Sequence, residues 1–315
     1  MNDQQSGITI CILSFNRASY LNEALDSILS QTSKPDDIRI YDNGSDAVVF
    51  NSIKRYLDAG VKWIVAENPS GNWVGNFLRA VSEVRTKYIV LMHDDDRLCV
   101  NFIEEQANFL EKYGDSVVVS CNGYWINENG VRTGRTLFPV LVNPEVEMYK
   151  CSGDVALRYA SDSCIPLSPA VYRTEILRQV GLREGYDKVT DVVMFCDLAD
   201  IGLVACQSSA LYECRIHEGQ DSNHFSAVLM GKLEEFLWTR KTEDIEGKVR
   251  LHRMLIMQHT AHNLRRLLCA FRQPQPFRNV LGELSKFCDG KFSPLLATKI
   301  FADAVGRRIS AIWKQ

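Results

Sequence analysis

From residue 8 onward, short apolar runs alternate with longer amphipathic stretches. Residues 8–14 (ITICILS) form a mostly apolar run of strand length. Leu21, Ala24, Leu25, Ile28 and Leu29 then recur at helical spacing, and Ser19 is the expected N-cap. A turn at Lys34-Pro35-Asp36 leads to a second strand over 38–41, which stops at Asp42-Asn43-Gly44-Ser45. The alternation continues with helices over 47–57, 73–84 and 101–113 and strands over 61–66, 87–92 and 116–121. Such alternation predicts an α/β fold: a mostly parallel sheet flanked by helices on both faces.

Past residue 122 the pattern loosens. Strand and loop extend to 144, helices are expected over 155–160, 174–180 and 191–201, and strands over 170–172, 203–206 and 210–216. From 225 on, the pattern is helical, with breaks at Gln273-Pro274-Gln275-Pro276 and Ser293-Pro294. The expected organisation is an α/β domain over 1–224, whose pattern changes near 122, and a helical C-terminal extension over 225–315.

Composition narrows the class. Apolar residues at 46% and charged residues at 24% of 315 are those of a soluble chain with a sizeable core. Residues 1–7 are polar, and no run of about 18 apolar residues occurs, so a cytoplasmic location is expected. Ten cysteines without a CxxC pair read as buried reduced thiols. Charge is uneven: residues 225–315 hold 16 Lys and Arg against 8 Asp and Glu, and the rest hold 20 against 31. A basic tail on an acidic front points to two tasks.

Ligands of open α/β sheets bind at the carboxyl ends of the strands. Three polar clusters fall there: Ser14-Phe15-Asn16-Arg17, Asp42-Asn43-Gly44-Ser45-Asp46 and His93-Asp94-Asp95-Asp96. Adjacent carboxylates repel and lose hydration. A divalent cation, bound through carboxylates and substrate phosphates, relieves both penalties. The plainer reading is a solvated acidic turn that caps the next helix. Asp42 suits the ring N–H of a nucleobase, or an Asx turn ahead of Gly44.

The combination resembles the family 2 glycosyltransferases of the GT-A fold. The resemblance runs through ILSFNRASYLNEALDSILSQT, YDNGSD and LMHDDDRL, then PLSPAVYRTEILRQVG, TDVVMFCDLADIG and YECRIHEGQDS, over about residues 8–222. It implies inverting transfer of one sugar from a nucleoside-diphosphate sugar to a hydroxyl, with Mn²⁺ or Mg²⁺, in a catalytic domain over 1–224 with a nucleotide-binding half of about 1–122 and an acceptor half of about 123–224. By that resemblance Ser14 and Asn16 line the nucleotide site, supported by Arg17 and Glu23. Asp42 contacts the base, and Asp94 lies on the ribose side. Asp95 binds metal, with Asp96 as a second ligand. Asp191 is the general base. His217 lies near the metal and diphosphate as a further metal ligand, and Arg215 beside it contacts the nucleotide sugar. Asn72, Trp73 and Asn76 open a helix that sits near the nucleotide in the family, which makes Asn72 a donor contact. Three residues depart from the pattern: His93 replaces the first acid of DxD, Thr190 replaces a common glutamate, and Phe15 replaces a tyrosine.

One carboxylate on the acceptor face suffices for single displacement, because it takes the proton of the attacking hydroxyl. Hydrolases need a carboxyl pair across the bond. Asp191 also fits as an N-cap, and His217 as an ordinary histidine after a strand. His252, His259 and His262 share one predicted helix, with no carboxylate or cysteine to complete a metal site.

Rival classes fit less well. A sugar-1-phosphate nucleotidyltransferase places a glycine-rich loop where Ser14-Phe15-Asn16-Arg17 stands. A non-catalytic module has no use for Asp95, Asp191 and His217 together, and a processive synthase carries membrane spans and an Arg-Trp element absent here. In the tail, Leu251, Met254, Leu255, Leu264, Leu267 and Leu268 form a stripe ringed by Arg250, Arg253, Arg265, Arg266 and Arg272. That stripe, like the apolar-basic final helix, suits an anionic membrane surface, a cap on the catalytic domain, or a homo-oligomer interface. A glycan or lipid-linked saccharide of O-antigen or capsule type is the expected acceptor, by family analogy. No nucleic-acid partner is expected.

Overall fold

All seven residues of β1 (Ile8–Ser14) are buried, as a central parallel strand covered on both faces requires. The computed structural model describes residues 6–66, 73–139, 145–161, 164–217 and 227–256. Ile8, Ile10 and Ile12 belong to one buried cluster, and Cys11 and Leu13 to the other. This is the two-residue alternation of a strand between two helical layers.

The first half follows the predicted alternation. After β1 come α1 (Ala18–Leu29), β2 (Asp37–Asp42), α2 (Ala47–Ser52), α3 (Lys54–Asp58) and β3 (Lys62–Val65). Then follow α4 (Trp73–Glu83), β4 (Tyr88–His93), β5 (Arg97–Leu98) and α5 (Phe102–Lys112). α1 buries Leu21, Ala24, Leu25 and Ile28, while Leu29 is exposed. Its N-cap is Arg17 and not the expected Ser19, which lies inside the first turn. Asn16 sets this earlier start: its φ of 53° turns the chain sharply, a left-handed conformation that asparagine tolerates. The helix expected over 47–57 is broken at Ile53, which lets both Ile53 and Tyr56 enter the core.

The second half contains β6 (Ser116–Ile126), β7 (Arg132–Thr136), β8 (Val146–Tyr149), α6 (Ser152–Ala160), β9 (Val171–Arg173) and α7 (Thr174–Val180). A 3₁₀ turn (Asp187–Val189), α8 (Thr190–Ala199), β10 (Leu203–Arg215) and α9 (Ala227–Trp238) complete it. β6 and β10 are longer than the pattern predicts, and β10 joins two expected strands through shifts of register.

One sheet runs in the order β3-β2-β1-β4-β9-β6-β10-β5, with β7 on β6 and β8 on β10. The first four strands are parallel, as expected. β9 is antiparallel to both β4 and β6, while β6 and β10 are parallel to each other. The sheet is therefore mixed beyond β4.

Residues 245–256 form a further helix. Leu233, Phe236, Leu237, Leu251 and Leu255 join the buried cluster of α4, α6 and α8. The start of the basic stripe thus caps the domain and leaves Arg250 and Arg253 outside. Its continuation from Leu264, together with His259 and His262, lies outside the described residues. No described helix is long and apolar enough to cross a membrane.

Candidate active site

Register brings the polar clusters together. Ser14 pairs with Asp42 and Leu13 with His93, so the loops after β1, β2 and β4 leave one edge of the sheet. The first two loops are knit to each other. The backbone N–H of Asn16 donates to Ser45 Oγ at 2.8 Å, and that of Asp46 to Asn16 Oδ1 at 2.9 Å. Asp42 forms the Asx turn: its Oδ2 accepts from the N–H groups of Gly44 (3.0 Å) and Ser45 (2.8 Å), and its Oδ1 from the Ser45 hydroxyl. Ser14 Oγ is buried and has no hydrogen-bond partner. A buried polar atom of this kind is costly unless a ligand or water satisfies it.

The acid turn is buried rather than solvated: Asp94, Asp95 and Asp96 are 0%, 6% and 3% exposed. Asp94 accepts from the backbone N–H of Phe15 and from Arg17 Nη1, both at 2.9 Å. Arg17 also lies 3.3 Å from Asp95 Oδ2, and His217 Nε2 lies 2.8 Å from the same oxygen. Asp96 accepts from the backbone N–H of Arg215 at 2.9 Å and from the Tyr212 hydroxyl.

Charge splits the three acids. Burial raises the Asp94 carboxyl against the pull of Arg17. At Asp95 burial pushes up, but His93, Arg17 and His217 together hold it below the usual range. Burial and the neighbouring Asp95 push Asp96 up to about 7. Burial thus favours the neutral forms of Asp94 and Asp96, while Asp95 is held ionised beside Arg17 and His217.

The resemblance assigns Arg215 to the donor, but the structure gives it protein partners. It is fully buried, with Nε on the Asp95 carbonyl at 2.8 Å and Nη1 on the Glu128 carbonyl at 2.9 Å. Nη2 meets Glu23 at 2.6 Å, and the guanidinium lies over the Tyr20 ring. Arg215 and Glu23 brace the acid turn from behind. Trp73 packs edge-on against Phe77, and Asn76 donates to the Tyr41 carbonyl. Asn72 lies outside the described residues.

Asp191 is in the first turn of α8, whose N-cap is Val189, so it is not the cap. The preceding 3₁₀ turn leads the chain into the helix one residue early. The Asp191 Oδ1 accepts the Val192 N–H at 2.8 Å. Burial pushes its carboxyl up to about 6, with the Val192 N–H and His93 pulling the other way. The residue as a whole is half-buried. Its neighbour Thr190 is 2% exposed, and its hydroxyl has no partner.

The donor chemistry of the turn fits a divalent cation. Ligand atoms of His93, Asp95 and Asp96 all lie within 4.8 Å of one another. His217 reaches this group through Asp95. Residue order counts His93 as a departure from DxD and not as a donor. Its place at the last position of β4, directly before the turn, is the signal that could have identified it.

Known proteins are similar to this chain in sequence and in fold. The sequence model of glycosyl transferase family 2 matches residues 9–181. An uncharacterized glycosyltransferase of Rickettsia typhi is 25% identical over 235 residues, spanning 74% of this chain and 70% of its own. One from Rickettsia prowazekii is 25% identical over 236 residues, spanning 74% and 70%. Among solved structures, S. aureus TarS 1-349 in complex with UDP-GlcNAc superposes with a TM-score of 0.65 at 14% identity, covering 88% of this chain and 80% of that one. The superposition on the longer TarS chain covers only 43% of it. The fold is thus that of GT-A glycosyltransferases, and with the family model spanning more than half of its length, this chain belongs to glycosyl transferase family 2 and is a glycosyltransferase.

Proposed function

We propose that the enzyme moves one sugar from a nucleoside-diphosphate sugar to a hydroxyl acceptor, with inversion and with a divalent cation at the acid turn. The observation that carries this reading is the meeting of three buried acids with the loops after β1 and β2 at one sheet edge. Ser14, Asn16, Arg17, Asp42, Asn72 and Asp94 surround the nucleotide in this reading. The unpartnered Ser14 hydroxyl supports it, because it leaves one buried polar atom for a ligand.

Asp191 is the general base. Its carboxyl is pushed up to about 6 by burial, so it is ionised at neutral pH yet a stronger base than an ordinary carboxylate. As the acceptor oxygen attacks the anomeric carbon, Asp191 takes its proton and the bond from that carbon to the diphosphate breaks. Asp95 and Asp96, with His217 beside them, would hold a divalent cation, which when bound would supply Lewis-acid charge for the departing diphosphate. Arg17 adds fixed positive charge, and His217 orients Asp95.

The proposed acceptor is a lipid-linked saccharide or a precursor of a surface glycan of O-antigen or capsule type, by family analogy. The basic, apolar pattern from Leu264 onward suits contact with an anionic inner leaflet. Flotation with anionic vesicles tests that contact, and equal recovery of full-length protein with and without vesicles rejects it.

Thermal shift with a panel of UDP-, dTDP- and GDP-sugars, with Mn²⁺, Mg²⁺ or EDTA, tests the donor assignment. TarS is solved with UDP-GlcNAc and with UDP, so uridine sugars head the panel. One nucleotide class is expected to stabilise the protein only with metal. Stabilisation by a nucleoside triphosphate plus sugar phosphate, and by no sugar nucleotide, would indicate nucleotidyl transfer instead.

A further inference from the structure

We infer that the pocket between the turn before α8 and helix α9 is a saccharide subsite, which grips an uncharged sugar unit of the acceptor beside the base helix. The inference rests on the sugar-transfer reading above and adds to it where the acceptor is held and what chemical class the grip selects.

The pocket measures about 450 Å³, within the range of small-ligand sites. Glu184 and Tyr186 line one wall, and Lys232, Glu235 and Phe236 of α9 line the other. None of these residues falls within the stretch 9–181 that the family model matches. The pocket shares no lining residue with the acid turn.

Both walls are tied to α8. Gly185, at a φ of 83°, turns the chain in the left-handed region that glycine adopts freely. Tyr186 follows, and its carbonyl accepts the N–H of Val189, the N-cap of α8, at 2.9 Å. The Tyr186 ring meets the Phe236 ring edge-on, with centroids 5.5 Å apart. Phe236 carries the Arg240 guanidinium at 3.8 Å and that of Arg183 at 5.5 Å. Arg183 in turn grips both carboxylate oxygens of Asp197 in α8, at 2.6 and 2.8 Å. The rise of a 3₁₀ turn and a helix puts Tyr186 on the order of 10 Å or less along the chain from Asp191. Asp191 is in turn close enough to the acid turn for His93 to act on its charge. An acceptor anchored at Tyr186 thus has only a short span to cross to the base.

The lining selects the ligand. Two carboxylates against one ammonium make the pocket acidic, which disfavours a phosphate or a second diphosphate. Among the described residues, no hydrogen bond or ion pair occupies the charged groups of Glu184, Lys232 and Glu235, or the Tyr186 hydroxyl. Together they offer acceptors and donors to hydroxyl groups. The half-buried Tyr186 ring offers an apolar face with a polar tip. A sugar ring matches this set, because its hydroxyls both donate and accept around an apolar C–H face.

Saturation-transfer NMR on the full-length protein reads the contact directly. The probes are the methyl glycosides of glucose, galactose, mannose, rhamnose and N-acetylglucosamine, with maltose and lactose. At least one should receive saturation, undiminished by excess UDP, dTDP or GDP with Mn²⁺. Its affinity should fall about tenfold in Glu235→Gln, which removes a charged hydrogen-bond acceptor. Saturation should vanish in Tyr186→Ala. The thermal unfolding midpoint of Glu235→Gln should match wild type, which separates a lost contact from a lost fold. Saturation of no sugar, displacement by a nucleotide, or wild-type affinity in both variants overturns the inference. Release of diphosphate from a sugar nucleotide by the same protein leaves the transfer reading standing in each of those cases. Failure to bind or turn over any sugar nucleotide overturns that reading instead.

Discussion

The two ends of the sheet are built by different rules. β3, β2, β1 and β4 are parallel neighbours in an unbroken series, and their loops leave one edge. Local bonds hold those loops, as between Asp42 and Ser45 or Asn16 and Asp46. β6 and β10 instead run for 11 and 13 residues, shift register against each other and accept antiparallel neighbours. Their buried polar residues depend on distant partners: Asn122 on the Phe138 carbonyl, Gln207 on Gln106, and the Ser208 N–H on the Glu145 carbonyl. The first region fixes its loops by strand register and the second by long-range packing. On the proposed function, the first supplies the donor site and the second the base.

This division can be broken by experiment. The largest effect is expected from Asp191→Asn, which should lower transfer about 10²–10⁴-fold. Donor affinity, measured by calorimetry, should stay within about twofold. A parallel loss of both would mean that the two regions do not act separately. Arg215→Met joins the regions at their seam and should cost about 3 kcal/mol in urea unfolding, because Glu23 and the Asp95 and Glu128 carbonyls lose a buried partner. Asp95→Ala should weaken metal-dependent donor binding about 100-fold or more and leave the remainder insensitive to EDTA.

pH gives a smaller, graded test. Asp191 is active when ionised, so transfer should fall about tenfold per pH unit below its pKa. Burial sets that limb near pH 6, and a cation at the acid turn moves it lower and never higher. A profile flat from pH 7 to 4 would exclude Asp191 as the base. The smallest effect is expected at Thr190, whose buried hydroxyl has no partner. Thr190→Val should leave stability unchanged or raise it by up to about 1 kcal/mol, because it removes an unsatisfied polar group. A clear loss in thermal unfolding would show that the hydroxyl has a partner.

The same contrast explains what was legible in the sequence. Apolar runs and helical spacing reveal β1, β2 and β4 because each element's burial follows from its own residues. Gln207-Ser208-Ser209 reads as a loop, yet it lies within β10 because distant groups satisfy its polar atoms. β8 is short and half-buried and leaves no clear pattern. At the site, residue order locates the acid turn and Asp191 but misplaces the start of α1, since the left-handed turn at Asn16 is a backbone property. Arg215 looks like a donor contact by position, whereas burial turns it toward Glu23 and the acid turn. His93 looks like a missing acid by position, and the fold sets its Nδ1 3.9 Å from Asp96 Oδ2.

Release of nucleoside diphosphate from a panel of nucleotide sugars, followed with Mn²⁺ and with EDTA in wild type and Asp191→Asn, tests the central claim most directly. One sugar nucleotide should be turned over by the wild type, EDTA should abolish that turnover, and Asp191→Asn should bind the donor without releasing diphosphate. Release that is unaffected by EDTA and equal in Asp191→Asn would contradict the account.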